Sequence, residues 1–82
     1  MSLRQELLQF VRGEIVGGGD AASITEDTQL IDSGVIDSMA LMRLITFVEE
    51  RTGVRIPDDE VLPDNFQSID QIEALVARLK SR

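Results

Sequence analysis

Apolar positions recur along this chain at helical spacing on either side of a long polar stretch. Leu3, Leu7, Leu8, Val11 and Ile15 recur at helical spacing behind Ser2 and Gln5, which form a capping box, and predict a first helix over about residues 3–16. Gly17, Gly18 and Gly19 end it, because glycine favours the left-handed cap and three together cannot sustain a helix. From Asp20 to Asp37 the pattern loses its period, and Ile24, Leu30, Ile31, Val35 and Ile36 stand as separate apolar anchors that predict a loop packed down on the body. Gly34 predicts a backbone turn there.

The helical period resumes at Ser38 and continues to Thr52, opened by Asp37 as N-cap and closed by Gly53. On a wheel at about 100° per residue, Leu41, Leu44, Ile45, Val48 and Thr52 form the core-facing arc of this second helix. The opposite arc holds Met39, Arg43, Thr46 and Glu50, flanked by Met42 and Phe47. Val54-Arg55-Ile56 is expected to be extended up to Pro57, and Pro63 interrupts Asp58 to Phe66, so only short helical turns fit there. Ser68 and Gln71 form a second capping box before Ile69, Ile72, Leu75, Val76 and Leu79, with Arg78, Lys80 and Arg82 suiting the C-terminal end of the dipole. The expected fold is all-α, three full helices and one short one, within a single domain over residues 1–82.

Composition narrows what such a domain can do. Eighty-two residues supply one modest core and no enclosed catalytic cleft, so function is expected on the surface. The chain has no cysteine and no histidine, which removes disulfides, the soft metal ligands and the usual general base. No catalytic residue and no metal site are expected. The N-terminus shows no signal peptide and no stretch reaches membrane-spanning length, so the expectation is a soluble, cytoplasmic monomer. The net charge of −7 is concentrated: residues 20–73 hold thirteen acids against three bases, Arg43, Arg51 and Arg55. That excess repels nucleic acid and anionic membranes and attracts basic protein surfaces, although acids of this kind also simply keep a small domain soluble.

Against the acidic background, Met39 and Met42 on the outward arc of the second helix mark a docking surface with Arg43, Thr46 and Phe47, since exposed methionine adapts to several partners. Phe47 and Met42 could equally serve as satellite core under the loop. Ser38 stands on the first helical turn, where free amides and the positive end of the dipole favour a phosphate. Position alone makes it an ordinary helix-start residue, and without a histidine the chain cannot activate it as a hydrolase would.

The segment Leu30-Ile31-Asp32-Ser33-Gly34-Val35-Ile36-Asp37-Ser38-Met39 resembles the attachment site of the acyl and peptidyl (aminoacyl) carrier proteins. The likeness continues through Gly53 to Pro57 and into the last helix at Phe66, Ser68, Ile69 and Ile72. The resemblance implies a four-helix bundle with a long loop between helices I and II and a short helix III. It also implies 4'-phosphopantetheine attached covalently to Ser38 by a Mg²⁺-dependent phosphopantetheinyl transferase that recognises Asp37, and cargo held as a thioester. Met39 replaces the family's commoner leucine, and Ala40-Leu41-Met42-Arg43 lacks the acids that carriers of fatty acid synthesis show on this helix. The face therefore resembles carriers of amino acids, D-alanine or specialised metabolites, loaded by a ligase and visited by downstream enzymes. A housekeeping fatty acid carrier and an unmodified acidic helical adaptor are the alternatives.

Overall fold

The computed structural model describes residues 2–17 and 23–81. Within them the fold is all-α, with three helices and no strand. The first, α1, runs Leu3–Phe10 and continues without a break through six π-wound residues, Val11–Val16. Ser2 opens it by accepting the Gln5 N–H on its hydroxyl at 3.2 Å, and Gly17, at φ 75°, closes it by donating its N–H to the Arg12 carbonyl at 3.0 Å. The helix thus ends where the sequence predicts, but its last turns are wider than α. Gly13 lies in the widened stretch, where a residue without a side chain gives the backbone latitude. Gly18, Gly19 and Asp20 lie outside the described residues, as does Arg82.

Helix α2 spans Ser38–Thr52, between the Asp37 cap and Gly53, whose φ of 71° supplies the left-handed C-terminal turn. Leu44, Ile45 and Val48 are buried as the wheel predicts, whereas Leu41 and Thr52 are only half-buried, so the contact stripe is narrower than the apolar arc. The Thr52 hydroxyl donates instead to the Val48 carbonyl at 2.7 Å. Helix α3 spans Ile69–Lys80, capped by Ser68, which accepts the Gln71 N–H at 3.2 Å, and it buries Ile69, Ile72, Leu75 and Val76. Between α2 and α3, Asp58–Glu60 and Pro63–Asn65 form two separate 3-10 turns. Pro63 begins the second, where a missing N–H costs nothing.

Among the described residues, five of the fifteen buried apolar ones come from the connections: Ile24, Leu30, Ile36, Ile56 and Phe66. The described part of the long loop, residues 23–37, is therefore packed down through three of its apolar anchors, while Ile31 and Val35 are half-buried. Polar ties add to this packing. Arg12 donates Nε to the Ile24 carbonyl at 3.1 Å, the Asp70 N–H donates to the Glu26 carbonyl at 3.1 Å, and the Ile56 N–H donates to Glu49 Oε2 at 2.9 Å. Arg4 joins α1 to α3 through Asp70 at 2.7 Å and Glu73 at 2.8 Å, and its hydrogen bond with Glu73 raises the guanidinium above its ordinary range.

Helices α1 and α2 meet along a three-rung seam. Glu6 pairs with Arg51, Phe10 stacks on Phe47 at 4.2 Å between ring centroids and 22° between planes, and Glu14 pairs with Arg43 at 3.5 Å. Each rung advances four residues along one helix and retreats four along the other, the register of an antiparallel pair. Arg51 also lies over the Phe47 ring, 5.9 Å from its centroid.

Candidate functional site

Ser38 is exposed on the first turn of α2. Its position follows from the turn before it. Leu30 and Ile36 are both buried, and between them the chain folds back on itself, with the Ile36 N–H donating to the Leu30 carbonyl at 3.0 Å and Gly34, at φ 82°, turning the backbone. A residue with a side chain would be strained at Gly34. Asp37 follows at once, accepting the Ala40 N–H on Oδ1 at 2.8 Å and the Leu41 N–H on its carbonyl at 2.8 Å. At the start of the helix this leaves the amides of Ser38 and Met39, which have no acceptor within the helix, beside the serine hydroxyl.

Those features fit a phosphodiester at Ser38. The hydroxyl is open to a partner, and the N-terminus of a fifteen-residue helix favours negative charge. They do not fit a self-sufficient nucleophile, because the chain has no histidine or cysteine to act as base. Among the described residues, no group of three His, Cys, Asp or Glu side chains is placed to hold a metal ion.

Beyond Ser38, the outward face of α2 divides by exposure. Met39 is 78% and Met42 61% exposed, the first next to the serine and the second about one turn beyond it. Arg43 and Thr46 are exposed too. Phe47 is half-buried in the seam with α1, so it offers an edge rather than a free ring. Two grooves flank the face. One, of about 910 Å³, lies between α2 and the segment after Gly53, with Met42, Ile45, Ile56 and Val61 among its walls. The other, of about 470 Å³, lies over the seam, between Phe10, Met42 and Phe47. Arg43 lies on that second surface within 3.5 Å of Glu14, both side chains exposed, so an acid from α1 stands beside the cation expected on the docking face.

Gln67 plays a part that the sequence pattern conceals. Its side-chain Oε1 accepts the N–H groups of Ile31 at 3.1 Å and Asp32 at 2.9 Å, and its carbonyl accepts that of Leu30 at 2.6 Å. One residue beside the α3 cap thereby holds three consecutive amides of the turn that leads to Ser38. No local period signals a contact across thirty-six positions. The available clue is a glutamine between the buried Phe66 and the cap Ser68.

Residues 13–79 match the family model described as Phosphopantetheine attachment site. The chain is 32% identical over 74 residues to the aminoacyl carrier protein 1 of Bradyrhizobium diazoefficiens, a match that covers 90% of this chain and 81% of that protein. It is 32% identical over 79 residues to the D-alanyl carrier protein of Enterococcus faecalis, covering 92% of this chain and 99% of that one. The fold is similar, with a TM-score of 0.80 and 27% identity, to a chain in a solved structure titled as an FAD-dependent dehydrogenase, covering 87% of this chain and 99% of that chain.

Proposed function

The chain belongs to the family of phosphopantetheine-attachment domains, and from that premise we propose that Ser38 is the residue that carries the group. The protein is a non-catalytic carrier whose cofactor is covalently attached 4'-phosphopantetheine. When bound, the arm supplies the terminal thiol that this cysteine-free chain lacks and on which acyl or aminoacyl cargo is held as a thioester. The observation that carries the assignment is the exposed Ser38 hydroxyl on the first turn of a long helix capped by Asp37.

In the attachment reaction Ser38 Oγ forms a bond to the phosphorus of coenzyme A that bears the pantetheine. The pyrophosphate P–O bond to the adenosine side breaks, adenosine 3',5'-bisphosphate leaves, and the serine proton passes to a base of the transferase. The Mg²⁺ and that base belong to the partner, since phosphoryl transfer needs positioning and charge neutralisation that this chain does not contain. Asp37 fixes the helix start on which Ser38 is presented, and its carboxylate is also the charge that the transferase reads.

The cargo follows from the α2 face. Met39, Met42 and Thr46 are exposed and uncharged, and Arg43 stands beside Glu14, so a cationic enzyme surface that seeks acids along this helix finds few. We read Met39, Met42, Arg43, Thr46 and the edge of Phe47 as the docking surface. The protein then serves an aminoacyl or specialised-metabolite pathway, loaded by an ATP-dependent ligase and visited by downstream biosynthetic enzymes. The names of the two carrier proteins above support the aminoacyl reading. Residues 1–82 act as one monomeric, cytoplasmic carrier domain, and the two turns at 58–65 take the place of the short helix III of a four-helix carrier. No described helix is long and apolar enough to cross a membrane.

Intact mass tests the site. Incubation with coenzyme A, Mg²⁺ and a broad-specificity transferase adds one phosphopantetheine to the parent and none to Ser38→Ala. Modification of the alanine variant overturns the assignment. Mass spectrometry of the loaded form with amino acids, ATP and candidate ligases, set beside malonyl transfer from a fatty acid system, tests the cargo.

A further inference from the structure

The loop that delivers Ser38 is tied to the body at successive points: Ile24 by Arg12, Glu26 by the Asp70 amide, and the Leu30–Asp32 amides by Gln67. The Gln67 tie stands nearest the serine. Between Asp32 and Asp37 the chain makes its own turn, with Ser33 donating its N–H to the Gln29 carbonyl at 3.0 Å and Gly34 donating to Ile31 at 3.1 Å. That turn is built on residues 29–31, and residues 30–32 are what Gln67 holds. An acceptor serine at the end of a loop can be recognised only in the fraction of molecules in which the loop is in place, and any loss of that fraction weakens apparent affinity in proportion.

We infer that Gln67 is a positioning residue for modification of Ser38, acting as a latch that keeps the 30–36 turn, and with it the start of α2, in the form the phosphopantetheinyl transferase binds. This rests on the reading of Ser38 as the attachment site. The hydrogen bonds of Gln67 go to the amides of the turn and not to Ser38. Its Oε1 satisfies two amides at once, which a shorter or apolar side chain cannot do, and those amides would otherwise have to find water.

The latch predicts a specific kinetic pattern. Once the transferase has closed on the loop it holds the turn itself, so loss of the latch raises the KM for the carrier and leaves kcat alone. Gln67→Ala removes both Oε1 bonds and shifts the loop about a hundredfold toward its open form; from a parent that is about nine-tenths closed, that raises KM about tenfold, with kcat within about twofold of the parent. Amide exchange at Ile31 and Asp32 should quicken by about the same factor, while the buried turns of α2 and α3 keep their protection. Gln67→Glu keeps an acceptor oxygen at the same reach, one residue ahead of the α3 cap where negative charge is favoured, and should restore KM to within about threefold. Gln67→Asn, one methylene shorter, should behave as the alanine variant and is read in its place if that variant does not fold.

The experiment uses the full apo chain with coenzyme A, Mg²⁺ and a broad-specificity transferase, rates read by intact mass, and exchange by NMR. Unchanged KM and exchange in Gln67→Ala overturn the latch, as does a fall in kcat without a change in KM, or a glutamate variant no better than alanine. Unfolding of both the alanine and asparagine variants also overturns it, since such a residue would serve the whole fold. A parent chain that takes up no phosphopantetheine defeats the Ser38 assignment and the latch with it, whereas a modified parent with an indifferent Gln67 defeats the latch alone.

Discussion

Truncating Leu44 and Met39 to alanine on the same helix separates the side of α2 that holds the fold from the exposed side proposed to meet partners. Leu44 is fully buried, in a core that it shares with Leu7, Val11, Ile72 and Phe66. Leu44→Ala removes the equivalent of three methylenes at about 0.8 kcal/mol each, and the rigid helices around the site collapse only in part, which adds a cavity cost. The expected loss is about 3–4 kcal/mol, a large share of the roughly 4–12 kcal/mol that a domain of this length has in total. Met39, at 78% exposed, buries only about a fifth of its side chain, so Met39→Ala should cost less than about 0.5 kcal/mol. The assay is urea unfolding of the apo protein followed by circular dichroism, with equal m-values as the check that both variants unfold from the same compact state. Met39→Ala should instead raise the KM of loading and condensing partners. Comparable stability losses in the two variants would refute the division of α2 into a core face and a docking face.

Asp37→Ala should slow modification and cost about 1 kcal/mol through loss of the bond to the Ala40 amide, whereas Asp37→Ser keeps a cap without the charge. Unfolding and modification rates measured on both variants separate the roles: restored stability with slow modification marks recognition, and full recovery of both leaves only the cap. Arg43→Glu sets an acid beside Glu14, and because that ion pair is exposed the change in stability should stay within about 1 kcal/mol. The same variant should improve transfer by fatty acid enzymes relative to the parent, read as malonyl thioester by mass spectrometry. Efficient malonyl loading and full elongation on the parent itself would replace the aminoacyl reading with the fatty acid one.

Much of the fold was legible because helix boundaries are written in short-range chemistry. Ser2, Asp37 and Ser68 each accept an amide three residues on, and Gly17 and Gly53 adopt the left-handed caps that their positions predict. The place of Ser38 on the first turn of α2 was legible for the same reason, since an Asp-Ser pair at a helix start is a local motif. Phe47 was not. The wheel set it on the flank of the outward arc, and only the approach of Phe10, thirty-seven positions away, turned it into one rung of a seam.

Local sequence determined where helices begin and end, which arc of each is apolar, and which hydroxyl stands on the first turn of α2, because capping and amphipathic periodicity act within a few residues. The tertiary structure decided what those helices do to one another. It gave Arg43 an acid partner on α1. It set Gln67 under the amides of Ile31 and Asp32, and wound the end of α1 wider than an α-helix. These contacts join residues with no common period, so they exist only once packing has brought distant parts of the chain within hydrogen-bonding or stacking distance.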